Sequence, residues 1–365
     1  MEDAVTVMEQ LPYWFEDYND NHPHKGLNMR SPREYRRLVN TLEQCKILLI
    51  HLGGLGDICL SESVFLSLSK HFNKNLVAVG YKRFLTLFEE YFSGLHSVES
   101  RHWLYLFSEM PSKNIWERIV FIGKDREGRL RKRWQQVSKE PLIFIDMYPE
   151  NSRELRGQGV KDSSGFKTLE PLNPWPRPAV WQGRPRTPGQ ELQQRLSRAG
   201  LEPFHVEDYQ LAQLEQYGIQ ALKKEIKQKR SDRVILYPER GFEKVKWHHD
   251  NFVQLYQSLK SKGREAYILE ALGLHLDIQD KVSLKELSEI RDFFQEGGIF
   301  VSNDSGMAHL AGMCGLFTIT IFTDFDPHIW HSRGRYMTLK YSDDKIDVPS
   351  IEAKIMEIIG EFKAE

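Results

Sequence analysis

The chain has 365 residues, more than one hydrophobic core normally supports, so we expect two domains. Its 50 basic and 51 acidic residues give a formal charge of -1, which argues against a general nucleic-acid-binding protein. Cys45, Cys59 and Cys314 are too few and too scattered for a disulfide framework or a metal site. With no apolar run long enough to cross a bilayer and no recognisable signal peptide, we expect a soluble cytoplasmic protein.

The first half of the chain has the pattern of alternating strands and helices. Residues 1–45 are polar and aromatic without clear periodicity, and we treat them as an N-terminal extension. From residue 46 short apolar runs alternate with amphipathic stretches, which is typical of successive β-α-β units. The predicted strands cover residues 47–50, 76–79, 119–122 and 142–145, and the amphipathic stretches cover residues 61–72 and 84–91. We therefore predict a Rossmann-like domain over residues 46–200.

A second alternating series follows a proline-rich segment. Prolines cluster within residues 171–188 at a density that regular structure does not tolerate, so this segment is predicted to be a loop. The strands predicted beyond it cover residues 234–236, 266–269, 299–301 and 318–322, and the helices cover residues 190–198, 211–227, 251–260, 284–294 and 307–313. This pattern predicts a second Rossmann-like domain over residues 201–348 and a C-terminal helix over residues 349–365. The predicted fold class is α/β, with two Rossmann-like domains and a cleft between them.

One junction between a strand and a helix in the second half has the composition of an anion site. The sequence VSNDSGMAHLA at residues 301–311 places a carboxylate, a hydroxyl and a glycine where an apolar strand turns into an apolar helix. Backbone N–H groups at a helix start have no partners in the helix, and the helix dipole favours negative charge there, so a phosphate group suits this position. Asp304 or Ser305 would equally serve as a simple helix cap, and the residues alone leave both roles open.

A glycine-rich turn follows the first predicted strand, in the sequence HLGGLGDI at residues 51–58. Gly53, Gly54 and Gly56 allow tight turning and close approach of a ligand, and Asp57 opens the next helix. The spacing does not fit a dinucleotide-binding fingerprint, because Cys59 stands where the third glycine belongs, and no P-loop lysine follows. A carboxylate repels phosphate, so Asp57 suits the role of a catalytic base, which is compatible with helix capping.

The two motifs together resemble glycosyltransferase family 9, whose best-known members are the ADP-heptose:lipopolysaccharide heptosyltransferases. The resemblance covers about residues 46–334 and rests on Gly56-Asp57 and on the more specific string NDSGMAHLA at residues 303–311. It implies a GT-B architecture, with an acceptor-side N-terminal domain and a nucleotide-sugar-binding C-terminal domain. It also implies inverting, metal-independent transfer of a sugar, namely heptose from ADP-heptose, to an acceptor such as the bacterial lipopolysaccharide core, with no cofactor.

The resemblance assigns roles to the residues of both motifs. Asp57 would be the general base that takes the proton of the acceptor hydroxyl as its oxygen attacks the anomeric carbon. Ser305, Gly306 and Met307 would bind the donor diphosphate and stabilise the leaving group, while Asp304 would fix the turn. One helical turn further on, His309 would face the phosphates or pack internally; on its own sequence context, internal packing is favoured.

A third element of the resemblance lies before Trp247. Family members usually carry a lysine two places before this tryptophan, where this chain has Val245 between Lys244 and Lys246. The role of neutralising the diphosphate is therefore shared between the two lysines, with a solvated basic turn as the alternative. Glu270, at the end of the next predicted strand, aligns with a family acid near the nucleotide.

A basic run at residues 124–134 lies in the half that the resemblance assigns to the acceptor. Such a run usually forms a solvated helix face. Arg129, Arg131 and Arg133 would alternatively contact an acidic saccharide or glycolipid acceptor and an anionic membrane surface, which implies peripheral contact with the inner face of the cytoplasmic membrane.

Two further interpretations stay open. The sequence TDFDP at residues 323–327 stands where the family often has Phe-Gly-Pro-Thr, which leaves the nucleotide base of the donor undetermined. This departure and the shifted lysine favour a catalytically silent nucleotide-sugar-binding scaffold protein, in which residues 1–45 recruit a partner, whereas Gly56-Asp57 favours an enzyme. A GT-B-type epimerase is the third interpretation, and product formation without an acceptor would identify it.

Overall fold

The structure is a computed structural model that describes residues 2–24, 30–36, 47–108, 116–125, 127–149, 205–238, 247–270, 278, 281–323, 325–341 and 346–364. The chain forms two compact units, one of Met1–Ile145 with Tyr217–Lys224 and the other of Asp146–Gln216 with Glu225–Glu365. The proline-rich segment 171–188, the helix predicted at residues 190–198 and the domain boundary predicted near residue 200 lie outside the described residues.

The first unit is built on a five-stranded sheet of order β3-β2-β1-β4-β5. Its strands are β1 (Ile47–His51), β2 (Leu76–Gly80), β3 (Gly94–Ser97), β4 (Arg118–Gly123) and β5 (Ile143–Asp146). Its helices are α1 (Glu2–Asn21), α2 (Leu55–Leu60), α3 (Glu62–His71), α4 (Lys82–Leu85) and α5 (Arg129–Trp134), with 3-10 turns at Thr86–Tyr91, Arg101–Leu106 and Gln135–Val137. Strand β1 pairs in parallel with both β2 and β4, so that Leu49 lies opposite Ala78 and Val120.

The continuous apolar runs explain why the strands of this unit were predictable. All five residues of β1 and all five of β2 are buried, as expected for parallel strands covered on both faces. Side chains such as Leu48, Val77, Ile119 and Phe121 join Trp134 in one core cluster, and each fully buried aliphatic side chain contributes about 1.5–3 kcal/mol. The four strands predicted in this half are confirmed, and β3 was not predicted.

The second unit is built on a six-stranded sheet of order β11-β10-β9-β6-β7-β8, in which every neighbouring pair is parallel. Its strands are β6 (Val234–Tyr237), β7 (Ala266–Leu269), β8 (Lys281–Val282), β9 (Ile299–Asn303), β10 (Phe317–Phe322) and β11 (Tyr336–Lys340). Its helices are α6 (Val206–Leu214), α7 (His249–Ser261), α8 (Leu287–Phe294), α9 (Gly306–Met313), α10 (Pro327–Trp330) and α11 (Val348–Ala364), with a 3-10 turn at Glu215–Tyr217. The C-terminal helix α11 belongs to this unit, because Ile351, Ile355 and Ile358 pack in its core.

The helix predicted over residues 211–227 is wrong beyond its first turn. Helix α6 ends at Leu214, and Gly218 has a φ of 69°, the left-handed conformation that interrupts a helix. Beyond it, the backbone N–H groups of Leu222 and Lys224 donate to the hydroxyls of Ser67 and Ser63, each at 2.9 Å. Contacts with α3 therefore replace the hydrogen bonds that a helix would have made.

Each sheet has a point where the order of its strands reverses, and this point positions a candidate site. In the first sheet the chain runs outward from β1 to β2 and β3, and then resumes at β4 on the other side of β1. In the second it runs from β6 to β7 and β8, and then resumes at β9 on the other side of β6. Ligands of open α/β sheets bind beyond the carboxyl ends of the strands at such switch points.

Candidate functional site

The switch point of the second unit lies at the carboxyl ends of β6 and β9. These strands are parallel neighbours, and Tyr237 at the end of β6 lies opposite Ser302 in β9. The motif at residues 301–311 therefore spans the end of β9 and the start of α9, at the place where this sheet offers a ligand site.

Helix α9 begins directly after this strand, and Ser305 is its N-cap. The Ser305 hydroxyl accepts a hydrogen bond from the N–H of Ala308 at 3.3 Å, and Asp304 donates its own N–H to the carbonyl of Ile321 at 2.9 Å. Of the two capping alternatives, the structure therefore selects Ser305. The N–H groups of Gly306 and Met307 lie in the first turn, where a helix provides no acceptor. With the dipole of α9, they form a terminus suited to an anion.

Asn303, the last residue of β9, is hydrogen-bonded to the backbone of Trp247. Its side-chain Nδ2 donates to the backbone carbonyl of Trp247 at 3.2 Å, and its side-chain Oδ1 accepts from the backbone N–H of Trp247 at 3.1 Å. Trp247 is buried and packs edge to face on Phe252, with ring centroids 4.6 Å apart. Lys244 and Lys246 precede this fixed point but lie outside the described residues. Sequence reasoning gave Asn303 no role, although this residue is the first of the string NDSGMAHLA and lies at the end of an apolar run.

Two other predicted donor-site residues have structural partners. Glu270 follows β7, and its carboxylate forms an ion pair with Lys281 at 2.8 Å and accepts a hydrogen bond from the hydroxyl of Ser283. These contacts hold Glu270 against β8. His309 is 5% exposed, and burial together with the nearby His331 lowers its pKa to about 4. The structure therefore gives His309 a neutral, internally packed imidazole.

The glycine-rich turn of the first unit lies at the carboxyl end of β1, which is the switch point of that sheet. Helix α2 begins at Leu55 with Gly54 as its N-cap, so the expectation that Asp57 opens the helix is wrong by two residues. Asp57 lies in the first turn, and its Oδ2 accepts a hydrogen bond from the N–H of Gly54 at 3.0 Å. This contact and the helix dipole both favour an ionised carboxylate.

Gly53 has no room for a side chain, in contrast to its neighbour Gly54. A Cβ atom on Gly53 would lie 2.6 Å from Cβ of Asp57 and 2.8 Å from Cε1 of His51. On Gly54 the nearest atom would be 3.9 Å away, an ordinary contact distance. The backbone of Gly53 therefore fits between the Asp57 side chain and the imidazole of His51. Gly56 lies inside α2, between Leu55 and Asp57.

The three arginines proposed as an acceptor or membrane patch have different surroundings. Arg129 is exposed and pairs with Glu127 at 2.6 Å. Arg131 is half-buried, with its guanidinium carbon 4.2 Å from the ring centroid of Phe144, and Arg133 donates to the carbonyl of Tyr105 at 2.8 Å. Arg131 and Arg133 therefore stabilise the packing of α5, and Arg129 is the most exposed of the three. Within the described part of the chain, no helix is long and apolar enough to span a bilayer.

A cluster of potential metal ligands lies at the start of α7. Among the described residues, His248, His249 and Asp250 have ligand atoms within 4.8 Å of one another. Both imidazoles contact the Asp250 carboxylate at 3.1 Å, and Nδ1 of His248 also accepts from the N–H of Asp250 at 3.4 Å. These contacts make the cluster a histidine-rich helix cap, and the positive end of the helix dipole disfavours a cation there.

The fold is similar to those of solved glycosyltransferase structures. The glycosyl transferase family 9 protein from Veillonella parvula matches with a TM-score of 0.55 and 12% identity, over 87% of this chain and 96% of that chain. Heptosyltransferase WaaC of E. coli, solved with ADP, matches with a TM-score of 0.55 and 11% identity, over 85% and 99% of the two chains. The ADP-heptose lps heptosyltransferase II of E. coli matches with a TM-score of 0.50 and 11% identity, over 87% and 99%.

At these identities the similarity concerns the fold, and it confirms the predicted α/β class with GT-B architecture. No protein-family model matches the chain, and no curated protein sequence matches it.

Proposed function

We propose that this chain, whose fold is that of the heptosyltransferases, is an inverting glycosyltransferase of family 9 that uses a nucleotide-sugar donor. The observation that carries the proposal is the N-terminus of α9 at the switch point of the second sheet, with Ser305 as its cap. The solved structure of WaaC contains ADP, and we take ADP-heptose as the first donor to test.

The proposed donor site holds the diphosphate by charge and by hydrogen bonds. The N–H groups of Gly306 and Met307 donate to phosphate oxygens, and the Ser305 hydroxyl donates its own hydrogen while its oxygen caps Ala308. Lys244 or Lys246 supplies positive charge from the segment before Trp247. These groups stabilise the nucleoside diphosphate as its negative charge increases in the transition state.

The proposed base is Asp57. Its ionised carboxylate takes the proton of the acceptor hydroxyl while that oxygen forms a bond to the anomeric carbon. The bond between the anomeric carbon and the diphosphate oxygen breaks in the same displacement, and its electron pair leaves with the nucleoside diphosphate. A single displacement inverts the configuration at the anomeric carbon. The acceptor is proposed to be an acidic saccharide or glycolipid, with Arg129 as its most exposed cationic contact.

We propose that the reaction needs no metal, because the helix dipole and the lysines supply the positive charge at the diphosphate. Transfer is expected to proceed at an unchanged rate in excess EDTA. The His248→Ala variant is also expected to retain full activity, since this imidazole caps α7. Loss of activity in EDTA, restored by a divalent ion, would contradict this part of the proposal.

The first experiment is a calorimetric titration of the full chain with nucleoside diphosphates and nucleotide-sugars. We expect selective binding of ADP and ADP-sugars, and a Ser305→Ala variant that binds about 10- to 100-fold more weakly, since a hydrogen bond to a charged group contributes about 1.5–3 kcal/mol. Lys244→Ala and Lys246→Ala, measured separately, identify which lysine contacts the diphosphate.

The matched control is Ser261→Ala, which removes a hydroxyl that donates to the carbonyl of Ser258 at the far end of α7. This variant is expected to bind ADP as the unchanged chain does. Equal loss in both serine variants, or no nucleotide binding by the unchanged chain, would reject the donor site at α9. Nucleotide-sugar binding without transfer to any acceptor would favour the silent scaffold.

A further inference from the structure

His51, the last residue of β1, is a fully buried histidine to which the proposed reaction gives no role. Its Nε2 lies 3.1 Å from the hydroxyl oxygen of Ser61, and its Nδ1 accepts a hydrogen bond from the N–H of Gly53 at 3.2 Å. Its ring packs edge to face on Phe65, with centroids 5.7 Å apart. The imidazole is therefore held by contacts on three sides.

The directions of the hydrogen bonds define the tautomer of this imidazole. The N–H of Gly53 can only donate, so Nδ1 carries a lone pair and Nε2 carries the hydrogen of the neutral ring. Nε2 then donates to the oxygen of Ser61, and the Ser61 hydroxyl donates its hydrogen to the carbonyl of Asp57 at 2.8 Å. A continuous chain of hydrogen bonds thus runs from Gly53 through His51 and Ser61 to the backbone of Asp57.

Burial keeps the imidazole of His51, and with it this series of hydrogen bonds, in one protonation state. Removal of the imidazole from water lowers the pKa of His51 to about 3, so the ring is neutral at physiological pH. A second proton on Nδ1 would also face the N–H of Gly53, leaving two donors in contact. The contacts of His51 therefore do not change across the pH range in which an ordinary histidine titrates.

The same imidazole limits the position of the Asp57 side chain. Gly53 lies between the two, close enough to each that a Cβ atom would overlap both. On its other side, the Asp57 carboxylate is held by the N–H of Gly54. Movement of His51 would therefore be transmitted to Asp57 through Gly53 and through Ser61.

We propose that His51 is a positioning residue, whose neutral Nε2–H imidazole fixes the Gly53 turn and, through Ser61, the backbone of Asp57. This inference rests on the proposed function, because Asp57 needs a fixed position only if it receives a proton in the reaction. Proton transfer depends strongly on geometry, since a displacement of about 1 Å costs on the order of 10²-fold in rate.

The first test observes the imidazole itself and needs no substrate. Long-range ¹H–¹⁵N spectra of the full chain resolve the tautomers of its 13 histidines, and the signals lost in His51→Asn identify this residue. We expect the Nε2–H tautomer, unchanged between about pH 5 and 8. The Nδ1–H tautomer, or titration within this range, would overturn the inference whether or not the chain is a transferase.

The second test follows Asp57. Its carboxyl ¹³C resonance is expected to shift in Ser61→Ala and to stay unchanged in Ser67→Ala, a control that removes another buried serine hydroxyl of the neighbouring helix α3. Ser67 donates to the carbonyl of Ser63, one turn earlier in the same helix. An unshifted resonance in Ser61→Ala would overturn the inference.

The third test is kinetic and separates positioning from stability. His51→Leu is expected to lower kcat by about 10²-fold with an unchanged KM for the donor, which binds in the other unit. His51→Asn, which keeps an acceptor for the N–H of Gly53, is expected to restore part of kcat. An unchanged kcat in a folded His51→Leu variant would overturn the inference. If the unchanged chain transfers no sugar, the proposed function fails, and the two spectroscopic tests still decide whether His51 holds Asp57.

Discussion

The neighbouring glycines Gly53 and Gly54 offer a matched pair of substitutions that tests the position of Asp57. In Gly53→Ala the new Cβ would lie 2.6 Å from Cβ of Asp57, whereas ordinary contact begins at 3.4 Å. The two groups must therefore separate by about 0.8 Å. Because the imidazole of His51 and the backbone of α2 surround the site, we expect Asp57 to be displaced. Overpacking of this kind costs about 1–3 kcal/mol of stability.

The displacement of Asp57 is expected to reduce the rate as well as the stability. A shift of nearly 1 Å in a catalytic base lowers kcat by on the order of 10²-fold, which corresponds to about 2.7 kcal/mol in the activation free energy. Gly54→Ala adds the same methyl group one residue later, where the nearest atom is 3.9 Å away and the backbone φ of -74° suits alanine. The loss of glycine at the N-cap costs at most about 1 kcal/mol of stability in this variant.

The assay measures kcat for transfer from the nucleotide-sugar identified by calorimetry, with urea unfolding of both variants in parallel. We expect Gly53→Ala to be strongly impaired at saturating donor and Gly54→Ala to retain most of its activity. Equal rates for the two variants, or a greater loss in Gly54→Ala, would refute the idea that the crowded face of Gly53 sets the position of Asp57.

Three further predictions concern the base, a buried ion pair and pH. Asp57→Asn is expected to lower kcat by about 10²- to 10⁴-fold without changing calorimetric ADP binding, because general bases contribute rate enhancements of this size. Glu207→Gln breaks an ion pair with Arg333 in which both side chains are at most 3% exposed, and it is expected to cost about 3–5 kcal/mol in urea unfolding. The exposed control Glu361→Gln, which loses a pair with Arg335, is expected to cost under about 1 kcal/mol. Lowering the pH from 6.5 to 5 is expected to reduce the unfolding free energy by about 1.6 kcal/mol for each of His51 and His309, because their folded pKa values of about 3 and about 4 lie below the value of 6.5 for an unperturbed histidine. The contribution of each histidine to the unfolding free energy is complete above pH 6.5, and it decreases as the pH falls because the histidines of the unfolded chain take up protons. The stability of the His309→Asn variant should therefore depend less steeply on pH than that of the unchanged chain.

The sequence predicted most of the strands of both sheets because parallel strands are buried on both faces. Runs such as residues 47–50 and 76–79 are apolar at every position, and such runs need no alternation to be recognised. Strands β3, β8 and β11 were missed because they are only half-buried along most of their length, so their apolar content is lower. The failure over residues 211–227 came from bonds to Ser63 and Ser67, more than 150 positions away in the chain.

The sequence places the candidate site residues at the ends of strands, but it does not reveal the contacts that these residues make. Asp57 and Ser305 each follow a strand at a glycine-containing turn, and parallel sheets present their ligands at such strand ends. The pairing of Asn303 with Trp247 joins residues 56 positions apart, and only the packing of β9 beside β6 brings them together. No local pattern encodes that contact.

The contacts around Asp57 show how a glycine-rich turn can be shaped by the side chains that surround it. In a phosphate loop, glycines let the backbone approach a ligand. Here Gly53 lets the backbone pass between a buried imidazole and a carboxylate, with a hydrogen bond to the first and a close contact with the second. The missing side chain thus makes room for an internal neighbour. The turn is shaped around Asp57. The spacing of Gly53, Gly54 and Gly56 consequently fits neither the dinucleotide-binding fingerprint nor the P-loop.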